Sequence, residues 1–196
     1  MYHLYHTDGF VLGGRPFGEG NTFFTLFTKE LGMLQASATS VREERSKLRY
    51  GVQDFSLSNL TLVRGKEVWR LANATLRLNI SVLFRERPEI VYMFGRIFRL
   101  LRRLLPEAEK HEELFAALTD TVLFLQTDAE HTPLETIEIV LVLRAPYFLG
   151  YVSAKGELET FFNHPFSLNA EVLHTAARYR TLALSSINAS LKASQL

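Results

Sequence analysis

Residues 21–38, NTFFTLFTKELGMLQASA, decide the fold of the first half of the chain. Asn21 to Thr28 is rich in aromatic and β-branched residues, a composition typical of strands. Lys29 to Gly32 is a short connection that ends in glycine, and Met33 to Ala38 resumes the extended pattern. This stretch therefore predicts a β-hairpin.

Three further strands flank the hairpin. They are marked by the apolar runs Phe10–Leu12, Phe55–Val63 and Val68–Leu71. The first run ends at Gly13-Gly14, Arg64-Gly65-Lys66 is a tight turn, and the polar segment Ser40–Gly51 is interpreted as a long loop. Five short strands with one long connection fit a small closed barrel of the OB type. A sandwich fragment or an SH3-like barrel would give much the same pattern.

Beyond Ala74 the apolar residues recur three and four positions apart, which indicates helices. Helices are predicted for residues 89–105, 109–126 and 169–193, with another that begins at the capping box Thr132–Glu135 and stops before Pro146. Tyr147 to Pro165 is aromatic and irregular. We expect an α+β protein with an OB-fold β-barrel in residues 1–76 and an all-α domain in residues 77–196.

The charge is divided unevenly along the chain. The 196 residues carry a net charge of only +1, yet residues 76–103 carry +5 and residues 104–145 carry −7. Such separation produces local fields that the overall charge conceals. The N-terminus lacks the pattern of a signal peptide and no long uncharged apolar stretch is present, so we expect a cytoplasmic protein without a membrane span.

Catalytic and metal-binding motifs are missing from the sequence. With no cysteine, a disulfide, a Cys-ligated zinc site and a thiol nucleophile are excluded. Gly13, Gly14, Gly18 and Gly20 match neither a P-loop nor a dinucleotide fingerprint. His111-Glu112-Glu113 lacks the second histidine of a zincin helix, and Glu107 to Glu113 is interpreted as a solvated helix start. We expect neither an enzyme nor a bound cofactor or metal.

Two basic segments are candidates for binding. Arg42, Arg45, Lys47 and Arg49 lie in the predicted loop, beside a barrel rich in aromatic residues, an arrangement that suits single-stranded nucleic acid. The competing interpretation is a solvated loop, which Glu43 and Glu44 favour by halving the local charge.

The second basic segment is the predicted helix that carries Arg96, Arg99, Arg102 and Arg103 on one arc, opposite its apolar face. An acidic peptide, a nucleic-acid backbone and an anionic membrane surface are its possible ligands. A core helix with a solvated arginine face remains an alternative.

A resemblance to a known family rests on landmarks spread over about 65 residues. They are Val11-Leu12, Arg15-Pro16-Phe17, Glu19, Phe27-Thr28, Gly32, Arg42, Ser46, Leu48, Gln53 and Phe55. In order and spacing they resemble the N-terminal domain of the bacterial recombination mediator family RecO. The stretch Leu141–Val152, LVLRAPYFLGYV, is similar to the end of a helix in that family, followed by Leu-Gly-Tyr.

The resemblance implies an OB-fold followed by helices, DNA repair by annealing of complementary strands, and loading of a recombinase. It implies binding of single- and double-stranded DNA, with RecR, single-stranded-DNA-binding protein and, indirectly, RecA as partners. The expected DNA contacts are Arg15, Arg42, Arg45, Lys47, Arg49 and Lys66. The acidic, Phe-ended tail of single-stranded-DNA-binding protein is expected on Arg96, Arg99, Arg102 and Arg103, with Tyr147-Phe148 as its apolar pocket.

Three departures from the family pattern are visible. Many members carry a four-cysteine zinc module where this chain has the short segment Ser153–Pro165. Thr39 and Ser40 stand where Lys-Gly is usual, and Glu43-Glu44 replaces basic or neutral residues. The chain also ends early relative to the family.

Two alternative functions remain. One is a module of the same ancestry that bridges proteins and binds DNA weakly, and the other is a peripheral membrane protein.

Overall fold

The computed structural model describes residues 3–66, 68–127, 133–153, 156–162 and 168–193. The strands are β1 (Leu4–Phe17), β2 (Asn21–Thr28), β3 (Gly32–Ala38), β4 (Ser56–Arg64) and β5 (Trp69–Asn79). The α-helices are α1 (Ile80–Leu83), α2 (Pro88–Leu104), α3 (Glu112–Thr127), α4 (Leu134–Phe148), α5 (Ala170–Arg178) and α6 (Arg180–Ala193), with a short 3-10 helix at Gly156–Phe161. The predicted α+β order, five strands followed by helices, is confirmed.

The strands form one closed barrel in the order β1-β2-β3-β5-β4. All neighbouring strands are antiparallel except β3 and β5, which pair in parallel at Ala36 with Trp69 and Ser37 with Arg70. Residues that alternate along the strands point inward, as the period of two requires. The interior is filled by Val11, Phe24, Leu26, Leu34, Ala36, Leu60, Leu62 and Leu71 with their neighbours.

The sequence suggests a bulge and a turn at Gly13-Gly14 that leave the first strand; a bulge is present, but the strand does not end there. It continues to Phe17, with an irregularity between Val11 and Gly13 in its pairing with β2. Gly13 has a φ of +146°, a conformation that glycine adopts without steric cost. The two glycines therefore bend the strand instead of stopping it.

Residues 39–55, which we name the capping segment, are a series of turns packed on the barrel and not a free loop. Val41 and Val52 are buried in the barrel core. Ser58 Oγ donates to the Gly51 carbonyl at 2.7 Å, and a Cβ on Gly51 would lie 2.5 Å from the Ala74 carbonyl oxygen. The polar composition suggested a loop, because only a few apolar residues of the segment pack on the barrel.

Helix α2 packs on the barrel through aromatic rings. The Phe98 ring lies 5.7 Å from the rings of Phe10 and Phe55, and 5.9 Å from that of Phe94. Accordingly, one compact unit comprises residues 1–102 with 106–110, and the other comprises residues 103–105 with 111–196. The boundary after residue 76 was drawn from the change of periodicity alone, and the assignment of separate domains on either side of it stays a prediction.

Residues 106–110 run along the start of β3. Ala108 N–H donates to the Met33 carbonyl at 2.8 Å, and Glu107 forms a parallel bridge with Met33. Helix α3 begins only at Glu112. The expected placement of Glu107 and Glu109 in the first turns of a helix was therefore wrong, because this segment pairs with β3 and turns at Ala108, whose φ is +61°.

In the second unit α4 continues through Pro146 to Phe148, although the helix was expected to stop before this proline. Proline removes one backbone donor, and the turn that follows is closed by Leu149 N–H donating to the Ala145 carbonyl. The predicted helix over residues 169–193 is two helices, α5 and α6, that meet at Tyr179. Thr132 of the predicted capping box lies outside the described residues.

Among the described residues, no helix combines the length and the apolar character needed to cross a bilayer.

Candidate nucleic-acid interface

One face of the β1–β2 hairpin carries alternating aromatic and basic side chains. Arg15 pairs with Phe23, and Phe17 pairs with Asn21, across the two strands. Residues two apart on a strand share a face, so Phe17 and Phe23 become diagonal neighbours. Their rings stack with centroids 4.1 Å apart and planes 23° from parallel. Both residues are half-buried, which leaves ring surface open to solvent.

A cavity of about 460 Å³ lies beside this face. It is lined by Leu12, Gly13, Gly14, Arg15, Phe23, Thr25, Gln35, Asp54 and Arg102. Arg102 reaches it because it follows Phe98 by four residues and so lies on nearly the same side of α2. Its Nη1 atom would lie 3.3 Å from a Cβ on Gly13. Gly13 therefore makes room for both the bend of β1 and this guanidinium.

A second cavity of about 460 Å³ is lined by residues of β1, β2 and the capping segment. Gly14 and Asp54 line both cavities. Arg42 and Arg49 line the second, and Arg42 also donates to the Gly18 carbonyl at 3.4 Å. We name the two cavities together the basic groove, because their lining includes four arginines and one carboxylate.

The glycine floor of the groove is closely packed underneath. A Cβ on Gly14 would lie 2.9 Å from the Phe24 ring and 3.0 Å from the Thr22 methyl group. A side chain at this position would therefore press against Phe24 and Thr22, two residues that line the second cavity. The bare backbone allows a ligand to approach the strand closely.

Three of the six predicted DNA contacts, Arg15, Arg42 and Arg49, line this groove. Arg45 and Lys47 are exposed on the capping segment but do not line either cavity. Lys66 is exposed in the β4–β5 turn, where Arg64 lies 5.8 Å from the centroid of the Trp69 ring. That all six contact DNA stays a prediction.

The predicted peptide-binding arginines are distributed differently from the single set expected. Arg96, Arg99 and Arg103 are exposed on α2, whereas Arg102 lines the basic groove. Exposed Tyr92 precedes Arg96 by one turn. In the second unit, Tyr147 stacks on Phe162 with ring centroids 4.0 Å apart and lies edge-on to Phe148. A peptide pocket formed by these elements stays a prediction.

The described residues contain no group of three or more His, Asp or Glu side chains placed to hold a metal ion. His6 Nδ1 lies 3.2 Å from the Thr61 hydroxyl, and the His3 ring packs edge-on against Tyr5. Both histidines therefore have contacts within the barrel that need no metal.

Sequence reasoning missed three features of the groove: the Phe17–Phe23 stack, Asp54 and the place of Arg102. The Phe17–Phe23 stack could have been found in the sequence. A polar residue precedes an aromatic one by two positions on each side of the Gly18–Gly20 turn, as Arg15 and Phe17 before it and as Asn21 and Phe23 after it. The other two depend on how the capping segment and α2 pack on the barrel, which no local pattern reports.

The comparisons with known proteins agree on one family. Residues 1–78 match the family model described as "Recombination protein O N terminal". The DNA repair protein RecO of Alkaliphilus metalliredigens is 30% identical over 142 residues, which cover 72% of this chain and 54% of that protein. The RecO protein of Pelotomaculum thermopropionicum is 33% identical over 122 residues, or 62% of this chain and 47% of the relative.

A third relative, the RecO protein of Heliobacterium modesticaldum, is 39% identical over 71 residues, which cover 36% of this chain and 26% of that protein. The chain spans about half the length of the first two relatives. The resemblance seen in the landmarks around Arg15-Pro16-Phe17 is thus confirmed: the chain is related to the RecO proteins, and its first 78 residues belong to the RecO N-terminal domain family.

Proposed function

We propose that the basic groove binds single-stranded DNA and that the chain acts in DNA repair and recombination as a mediator of the RecO type. The observation that carries this proposal is the groove itself, whose lining combines arginines from β1, the capping segment and α2 with Phe23 of the half-buried Phe17–Phe23 stack. Guanidinium groups hold phosphates, and flat rings stack on unpaired bases whatever their sequence.

The strand order supports an OB-type assignment of the barrel. A closed barrel of five strands in which β1 pairs with both β2 and β4 and in which β3 meets β5 is the arrangement expected of that fold. Barrels of this type bind oligonucleotides along one face and at the adjoining loops. The groove adjoins the β1–β2 turn, where Arg42 contacts Gly18.

The further roles belong to the same proposal. They are annealing of complementary strands, binding of double-stranded DNA, and recombinase loading with RecR, single-stranded-DNA-binding protein and indirectly RecA. In this proposal the protein binds DNA in the cytoplasm and does not act as an enzyme. The names of the relatives, which are DNA repair proteins, support the place of these roles in DNA repair.

The test compares two double variants with the same loss of charge. Arg42→Ala with Arg49→Ala removes two arginines that line the groove, whereas Arg45→Ala with Lys47→Ala removes two cations of the same segment outside it. The groove variant is expected to bind a labelled oligo(dT) more weakly and to lower the salt slope of log K by roughly two, about one for each lost phosphate contact. The matched variant is expected to change binding far less.

Fluorescence anisotropy over a salt series measures both quantities. Equal losses in the two variants would mean that general charge and not the groove holds DNA. Unchanged binding in both would place DNA elsewhere on the chain.

A protein-bridging function is the second candidate. The observation that favours it is the exposed stripe of Tyr92, Arg96 and Arg99 on α2, which does not contribute to the groove lining. A cationic helix face with an exposed ring suits an acidic, aromatic peptide. Strong peptide binding with no oligonucleotide binding would favour this function over the first.

A further inference from the structure

Asp54 is the only carboxylate among the described residues that line the basic groove. A carboxylate repels phosphate, so its presence among four arginines needs an explanation that backbone binding does not provide. We propose that Asp54 determines base specificity, by accepting two hydrogen bonds from the edge of an unpaired guanine. This inference rests on the proposed binding of single-stranded DNA in the groove.

The position of Asp54 is fixed by its backbone. Asn79 Nδ2 donates to the Asp54 carbonyl at 3.0 Å, and Phe55 N–H donates to the Val11 carbonyl at 3.1 Å. Phe55 has a φ of +68°, so the chain turns sharply just after Asp54. These contacts hold the residue without using its side chain.

The carboxylate itself is available to a ligand. Asp54 is exposed, and within the described part of the chain its side chain forms no ion pair or hydrogen bond. It lines both cavities, which among the described lining residues only Gly14 does as well, so it lies at their shared boundary, which we name the junction. A ligand that runs through the whole groove must pass this carboxylate.

The charges around Asp54 determine which part of a DNA strand can face it. Arg15 and Arg102 line one cavity, and Arg42 and Arg49 line the other. Phosphates are therefore attracted to sites on both sides of the junction and repelled at the junction itself. At the junction, a base can donate N–H hydrogen bonds to the carboxylate, whereas a phosphate has no N–H group to donate.

Guanine matches a carboxylate better than the other bases do. Its Watson–Crick edge has two adjacent donors, N1–H and the N2 amino group, which can bind the two carboxylate oxygens in parallel. Adenine and cytosine offer one amino group next to an acceptor nitrogen, and thymine offers one N–H between two carbonyls. This edge is free only in an unpaired base, which links the specificity to single strands.

Other groove residues complete the recognition. Gln53 lines the second cavity beside Asp54, and its amide N–H₂ can donate to guanine O6. Phe23 lines the first cavity and offers a ring on which the next base can stack. Each cavity has a volume within the range of roughly 300–1,000 Å³ typical of ligand sites.

The test measures binding of three labelled single strands to the full chain: oligo(dT), an alternating d(TG) strand, and the same strand with inosine in place of guanine. Inosine lacks the N2 amino group and keeps N1–H. We expect the wild type to bind d(TG) about five- to tenfold more tightly than oligo(dT), which is the lower end of the discrimination from one bidentate base contact. The inosine strand should fall between them.

Two variants separate Asp54 from general charge. Asp54→Asn keeps the shape but replaces one acceptor oxygen by a donor, so the preference for d(TG) should vanish while oligo(dT) binds as well or better. Glu44→Gln removes one charge from the same capping segment outside the cavity linings, and it should keep the ratio of the two affinities.

The outcomes distinguish the inference from the function on which it rests. Equal wild-type affinities for d(TG) and oligo(dT), or a preference that survives Asp54→Asn, overturn the inference and leave DNA binding intact. No binding of any strand overturns both. Loss of all binding in Asp54→Asn, with an unchanged unfolding curve, would also contradict it, because it would make the carboxylate a general requirement.

Discussion

Gly13 holds a backbone conformation that other residues adopt only with strain, with φ at +146°. A methyl group there would also lie 3.3 Å from Arg102 Nη1. We expect Gly13→Ala to lower the free energy of unfolding by about 1–3 kcal/mol, the usual cost of a strained backbone site. Urea unfolding followed by the fluorescence of Trp69, the single tryptophan, measures this value.

Gly20→Ala is the control for that prediction. Gly20 does not have a positive φ, and the nearest atom to its added Cβ is 3.4 Å away. This variant should change the free energy of unfolding by less than about 0.5 kcal/mol. Similar values for both variants would show that the bend at Gly13 does not depend on glycine.

Arg144 in α4 is completely buried, and burial lowers its pKa to about 10, against the opposing effect of Glu113. Since the folded pKa lies below the unfolded one, charged Arg144 costs stability at every pH below about 10. Arg144→Met removes this cost and retains most of the volume. We expect the variant to be more stable at neutral pH by about 1–3 kcal/mol.

The pH dependence tests the cause of that gain. The difference between Arg144→Met and wild type should shrink as the pH rises above about 10, where the folded wild type begins to lose the proton. Thermal unfolding of both proteins at neutral and alkaline pH measures it. A less stable methionine variant would mean that the contacts of the guanidinium, including the Phe148 ring 5.5 Å away, outweigh the cost of burial.

At the level of single residues, the sequence named candidate cations but not their neighbours. Of the six residues expected to contact DNA, which stays a prediction, Arg15, Arg42 and Arg49 line the groove. Arg102 was assigned to another surface because helical periodicity gives only its angle around α2. The barrel contact of Phe98, which brings Arg102 beside Gly13, comes from tertiary packing.

At the level of elements, the pairing of residues 106–110 with β3 depends on Gly32. Its φ is +70°, and an added Cβ would lie 1.9 Å from the Glu109 carbonyl oxygen. We expect Gly32→Ala to displace residues 107–109 from β3 and to break the bond from Ala108 N–H to Met33. Hydrogen exchange at Ala108 should then accelerate by about tenfold or more.

Gly150→Ala is the matched control, since Gly150 also has a positive φ of +77° but nothing lies within 4 Å of its added Cβ. It imposes backbone strain without a clash against this segment, so exchange at Ala108 should stay as in the wild type. Acceleration in both variants would attribute the effect to general loss of stability.

Elements that follow from a local sequence pattern were predicted well, and elements that depend on contacts distant in sequence were not. The β2–β3 hairpin and α2 follow from alternation and from three-and-four spacing, and they lie within a residue of the expected bounds. Glycine and proline were misinterpreted as ends at Gly13 and Pro146. At both places neighbouring hydrogen bonds continue the element, and a single-residue preference cannot reveal that.

On the scale of the whole molecule, Arg102 is the only described arginine of α2 that lines the basic groove. Tyr92, Arg96 and Arg99 are exposed on α2 and line neither cavity. Residues 92, 96 and 99 follow one another by four and three positions and therefore form a stripe. If the stripe binds a partner peptide and the groove binds DNA, the two ligands depend on different arginines of one helix.

We therefore expect opposite effects from two sets of charge reversals. Arg96→Glu with Arg99→Glu should strongly weaken micromolar, salt-sensitive binding of an acidic peptide ending in Phe, because its carboxylates lose two cations and meet two like charges, and Arg103 and Tyr92 alone hold it weakly. Oligo(dT) binding should change little. Arg102→Glu should weaken oligo(dT) binding and leave the peptide bound.

Anisotropy titrations with each ligand, and unfolding curves for each variant, provide the measurements. The separation would be contradicted if Arg96→Glu with Arg99→Glu weakened both ligands equally at an unchanged melting temperature, since one continuous cationic surface would then serve both. Unfolding of that variant, together with no peptide binding by the wild type, would instead assign these two arginines to the stability of α2.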